Sequence, residues 1–184
     1  MLAMAVRAQT ITPQIKVSLV VKPFQSIQIG SGSVPGDNYA GLVSFEYSSH
    51  EHYAKGGTKT VERQLRVSSI GTGYTVGAEW LNDGKFYRVG AGSGAERIPV
   101  GEILQIAIAQ AGEPMGAPKD VEANMPAVYT STEVVSPFTE LDVMYRAKPL
   151  MGNEDLIRRL LGPGEAISNP STYAAHVRYT IVPN

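Results

Sequence analysis

Tyr173-Ala174-Ala175-His176-Val177-Arg178-Tyr179-Thr180-Ile181 alternates along its whole length. Tyr173, Ala175, Val177, Tyr179 and Ile181 fall on one side, and Ala174, His176, Arg178 and Thr180 on the other. A period of two marks a strand with one buried face, because successive side chains leave the pleat in opposite directions. Asn169-Pro170-Ser171 supplies the turn before it.

The same period recurs towards the N-terminus. Ile15, Val17, Leu19 and Val21 alternate with Lys16, Ser18 and Lys22 between Pro13 and Pro23, and prolines cannot donate to a ladder. Ile27 and Ile29 begin a short segment that ends at Gly30-Ser31-Gly32-Ser33. Residues 42–47 read as a strand, followed by a polar stretch, 48–60, that holds Gly56-Gly57. Val61, Leu65 and Val67 alternate, with Arg63 out of place on their apolar side. Tyr74, Val76, Ala78 and Trp80 make another apolar face. Asn82-Asp83-Gly84 is a turn signal that makes residues 86–89 the expected hairpin partner. Residues 103–109 form a nearly continuous apolar run, as in a central strand, and 111–125 read as a surface loop. Residues 129–135 read as a strand broken by Pro137, and Leu141, Val143, Tyr145 and Ala147 as one more.

A single helix is expected. Asn153 is its N-cap, Glu154 and Asp155 lie in the first turn, Arg158 and Arg159 near the end, and Gly162 stops it. Leu156, Ile157, Leu160 and Leu161 would face the protein. Roughly eight to ten short strands and one short helix near residues 154–161 predict an all-β sandwich or barrel. No internal repeat or linker divides the chain, so residues 23–184 are expected to form one domain.

Composition agrees. Among 184 residues, 19 Gly, 12 Pro and 9 Tyr suit turns and strands. The absence of cysteine excludes disulfide scaffolds, cysteine zinc sites and thiol catalysis. With 16 basic and 17 acidic residues the net charge is −1, and no basic stripe points to nucleic acid. No run of about 18 apolar residues predicts a membrane span. Residues 1–8, MLAMAVRA, end in Ala-Val-Arg-Ala before Gln9, the small-x-small form of a signal-peptidase site. They read as the remnant of a signal peptide, which predicts export to the cell surface or beyond.

The search for chemistry yields little. Gly30-Ser31-Gly32-Ser33 lacks the Lys-Ser/Thr of a phosphate loop, Gly90-Ala91-Gly92-Ser93-Gly94 has the wrong spacing for a dinucleotide, and Gly71-Thr72-Gly73 reads as a turn. No nucleophile elbow is present. His50 and His52, two apart in an extended segment, could share one metal ion with a third ligand such as Asp37 or His176; a polar turn with exposed imidazoles is the plainer reading. Glu46, Glu79, Glu140 and Asp142 fall on polar faces. Tyr39, Tyr53, Trp80 and Tyr87 are candidates for a sugar platform, although Trp80 is in register with the core. No catalytic residue and no cofactor is expected.

The first and last strands, Ile15-x-Val17-x-Leu19-x-Val21 and residues 170–181, resemble those of donor-strand-type fimbrial subunits, pilin-like domains with an immunoglobulin-like β-sandwich. The chain also resembles short secreted β-proteins of Gram-negative bacteria. The resemblance implies that residues 9–22 are a donor-strand extension, with Ile15, Val17, Leu19 and Val21 as the polymerisation strand. They would enter a neighbouring copy head to tail and build a pilus or fimbria. The same strand could instead pair within its own domain. A different expectation is a monomeric secreted adhesin that binds a host or environmental surface through loops 30–40 or 111–126. The departures from the pilin pattern are the helix, the missing disulfide and the longer chain.

Overall fold

The structure is a computed structural model that describes residues 18–30, 41–90, 97–162 and 171–184. Its described residues are mostly β. In chain order the strands are β1 (Phe24–Ile29), β2 (Gly57–Ile70), β3 (Tyr74–Trp80), β4 (Lys85–Arg88), β5 (Ile98–Pro99), β6 (Leu104–Gln110), β7 (Lys119–Asp120), β8 (Asn124–Ser131), β9 (Val135–Ala147), β10 (Tyr173–Ala174) and β11 (Val177–Pro183). They form three antiparallel sheets, ordered β1-β2-β9-β6-β7, β11-β3-β8 and β10-β4-β5. Few sequence neighbours pair. The central strand β9 sits between β2 and β6, with Val143 opposite Val61 on one side and Ile108 on the other.

One core joins the sheets. Val61, Leu65 and Val67 of β2 meet Leu141, Val143 and Tyr145 of β9 and Tyr74, Val76 and Trp80 of β3, all buried. Burying a side chain of this kind favours folding by about 1.5–3 kcal/mol.

Arg63 escapes the core through a bulge. Val61 pairs with Val143 and Leu65 with Leu141, so two more residues lie on β2 than on β9 between these pairs. Arg63 takes a left-handed backbone, φ 53°, and its side chain points out. Its N–H donates to Asp142 Oδ1 at 2.7 Å and its Nε lies 3.3 Å from Glu140 Oε2. Pro137 does not break its strand either. It lies inside β9 at a second irregularity, between the pairs Val67/Thr139 and Ser69/Ser136, where a missing N–H is tolerated.

Other elements differ from the expectations. Residues 42–47 are not a strand: their burial alternates, with Val43, Phe45 and Tyr47 half-buried, but they belong to no sheet. Residues 86–89 are not the hairpin partner of β3, because β11 and β8 already occupy both edges of β3; β4 pairs with β10 and β5 instead. Asn82 and Asp83 take φ 57° and carry the chain away. The closing strand is split at Ala175-His176. Tyr173 pairs with Arg88 and Val177 with Trp80, so the chain changes partner sheets there. The strand expected at 129–135 is shifted to β8, with Val135 opening β9.

Four short helices are present among the described residues rather than one. Glu154–Leu161 lies where the caps place it: Asn153 Oδ1 accepts from Leu156 N–H at 3.1 Å, and Gly162 ends it with φ 77°. Leu156 is buried, Ile157 and Leu160 half-buried, and Leu161 exposed. Leu161 is five residues beyond Leu156 and so about 140° round the helix, off the packed stripe.

Candidate functional site

The structure places the polar stretch after residue 47 on a helix, His50–Lys55. Ser49 caps it, its Oγ accepting from His52 N–H at 3.3 Å, and Gly56 closes it with φ 69°. A Cβ on Gly56 would lie 2.0 Å from Ala147 O, so only glycine fits where the helix turns into β2. Tyr53 O accepts from both Leu150 and Met151 N–H at 2.9 Å, which ties the helix to the loop after β9.

Between this helix, residues 44–47 and the start of β2 lies a half-open cleft of about 440 Å³. Phe45, Tyr47, His52, Gly57, Thr58 and Lys59 line it, with Glu46 and Ala147. Tyr47 Oη donates to Lys148 O at 2.7 Å, and its ring lies 5.5 Å from that of Tyr53. Burial, with Tyr53 adding to it, pushes the Tyr47 hydroxyl up to about 12, so it stays a neutral donor at ordinary pH. Lys59 Nζ lies 6.0 Å from the centre of the Phe45 ring, the outer limit of a cation–π contact. Behind the cleft Lys148 Nζ bonds Gly101 O and Asp120 Oδ1, each at 2.7 Å. The hydrogen bond from Lys148, helped by one from Gln105, holds the Asp120 carboxyl below its ordinary range.

The helix separates the two histidines, since residues two apart on a helix are about 200° round its axis. The extended geometry that would aim both imidazoles at one ion is therefore corrected. His52 Nδ1 faces Ser48, 3.4 Å from its N and 3.3 Å from its Oγ. Accepting from the backbone N–H assigns Nδ1 as the unprotonated nitrogen. His176 Nε2 is 2.9 Å from Tyr87 Oη, with the two rings stacked, and Asp37 lies outside the described residues. Among the described residues no group of three or more His, Asp or Glu is placed to hold a metal ion.

The acidic candidates are not gathered together. Glu46 lines the cleft, Glu79 pairs with Arg178, and Glu140 and Asp142 hold the Arg63 bulge. Trp80 is 5% exposed and belongs to the core; Tyr53 and Tyr87 are half-buried, and Tyr39 lies outside the described residues.

Of the polymerisation strand, Ile15 and Val17 lie outside the described residues, as do residues 1–8 and most of loop 30–40. Leu19 and Val21 are described. They are 86% and 76% exposed, with Val20 at 74%, and residues 18–23 belong to no strand. The continuous strand expected over 15–21 is thus not seen in its described part, and the first strand among the described residues is β1. Sequence reasoning missed the cleft. The helix that frames it did leave signals: Ser49 as N-cap, Glu51 in the first turn, and Gly56 as the stop.

No protein-family model matches the chain, and no curated protein or solved structure is significantly similar to it. Among the described residues no helix is long and apolar enough to cross a membrane.

Proposed function

We propose that the chain is an exported, non-catalytic structural subunit of a surface filament, joined head to tail by β-strand addition of residues 13–22 into a neighbouring copy. One observation carries this reading. Leu19, Val20 and Val21 stand 86%, 74% and 76% exposed, outside every sheet, just before β1. An apolar run left in water is a drive to associate, about 1.5–3 kcal/mol for each side chain fully buried. Strand addition buries alternate side chains while satisfying the backbone, and head-to-tail insertion does not close on itself, so it builds a filament. In this reading the five-stranded and three-stranded sheets are the two layers of an immunoglobulin-like sandwich. Their shared core supports it.

The test is the assembly state of the full chain. Sedimentation and electron microscopy are expected to show concentration-dependent linear oligomers, abolished by Leu19→Asp with Val21→Asp. These side chains are exposed, so the variant should keep the wild-type unfolding midpoint. A wild-type chain that stays monomeric at every concentration refutes the reading. The cleft beside Tyr47 favours a second reading, a monomeric secreted binding module that takes its ligand there.

A further inference from the structure

Two backbone edges near the cleft have no backbone partner among the described residues. β1 covers β2 only from Leu65 to Ile70, so among the described residues β2 from Gly57 to Val61 is paired with β9 alone. On the other side of the cleft, residues 44–47 belong to no helix or strand and alternate in burial, yet make no backbone hydrogen bond among the described residues. Among the described residues only side chains link the two edges there. The Phe45 ring reaches towards Gly57, whose Cβ, if it had one, would lie 3.3 Å from Phe45 Cδ1.

Backbone donors and acceptors need partners, and a half-exposed edge takes them from water until a strand arrives. The cleft between the edges holds about 440 Å³. Its length, four residues at about 3.3 Å each, suits the middle of a short strand. Its apolar lining is Phe45 and Tyr47, and its polar lining includes Glu46. The segment with no sheet of its own has the matching character: Leu19 and Val21 exposed, Lys22 exposed beside them, and Lys16 in the same alternation.

We infer that this cleft is the receiving slot for the N-terminal strand of a second copy, which enters between residues 44–47 and the free edge of β2 and completes the sheet on that side. The inference rests on the strand-addition reading and names where the strand docks. Leu19 and Val21, or Ile15 and Val17, would lie on Phe45 and Tyr47, with a lysine of the entering strand facing Glu46. The occupant is a second copy because 86% exposure of Leu19 leaves that side chain unused by its own chain.

Hydrogen exchange of the full chain at low and high concentration tests the slot. Amides of residues 44–47, and those of 57–61 that point away from β9, should slow tenfold or more on assembly. Ser44→Trp, at an exposed position of the lining, should raise the concentration needed for assembly at least tenfold. Glu46→Lys should weaken it several-fold, and a chain carrying Lys16→Glu with Lys22→Glu should restore partnership with that variant. If the chain assembles while those amides exchange as in the monomer and Ser44→Trp changes nothing, the slot is wrong although strand addition stands. If the chain never assembles, both fail. Slow exchange at 44–47 and at the outward-facing amides of 57–61 already in the dilute monomer would mean that the chain fills its own slot, which overturns a second copy as occupant.

Discussion

Replacing Tyr145 with phenylalanine probes the junction between the two larger sheets. Tyr145 on β9 is 4% exposed, and its Oη donates to Gln64 Oε1, also buried, at 2.9 Å. Its Oη is also 2.8 Å from Tyr179 Oη on β11, in the other sheet. A hydroxyl has one proton, and the amide oxygen can only accept. Tyr145 therefore donates to Gln64, and Tyr179 donates to Tyr145. Tyr145→Phe removes both bonds, including the one it donates to the buried Gln64 oxygen. At about 1 kcal/mol net per bond the loss should be about 2 kcal/mol. Tyr179→Phe removes only one donor and should cost about 1 kcal/mol. Because the two share a bond, the double variant should cost about 1 kcal/mol less than the sum. Urea unfolding followed by fluorescence is clean here, since Trp80 is the only tryptophan and is buried. If Tyr145→Phe lies within about 0.5 kcal/mol of wild type, or if the two losses add, the shared-proton chain is wrong.

The same hydroxyls predict alkaline sensitivity. Burial raises Tyr145 to about 12 and Tyr179 well above its ordinary value of 10.0, and Tyr47 is likewise raised to about 12. In the unfolded chain tyrosine ionises near 10, so between roughly pH 10 and 12 the unfolded state binds fewer protons and stability falls as pH rises. The urea midpoint should hold to pH 9 and drop by pH 11, with a shallower drop in Tyr145→Phe. At the bulge, Asp142→Ala removes the acceptor of Arg63 N–H and should cost about 1–2 kcal/mol, whereas Glu140→Ala breaks only an exposed ion pair and should cost less than about 1; equal losses in urea titrations would contradict this. Gly56→Ala, strained by its φ of 69° and by the 2.0 Å approach to Ala147 O, should cost more than about 2 kcal/mol, seen as a fall in Tm.

Sequence by itself determined the β character and the inward faces of the principal strands. Leu141, Val143 and Tyr145, and Tyr74, Val76 and Trp80, lie buried where alternation put them, because the pleat sends alternate side chains to opposite faces whatever the partner strand. The caps of Glu154–Leu161 were equally legible, since Asn153 and Gly162 act within one turn. Pairing was decided only by the tertiary structure. Nothing in residues 86–89 reveals that β8 and β11 hold both edges of β3, and nothing local tells residues 173–181 to change sheets at His176. Arg63, out of place in a period-two reading, fits through a bulge that depends on Asp142, far away in sequence. The cleft escaped for the same reason: residues 42–47 have the alternation of a strand, but only the fold shows that no described strand pairs with them. Periodicity records which face is buried; hydrogen bonding to distant chain determines the sheet and the edges it leaves open.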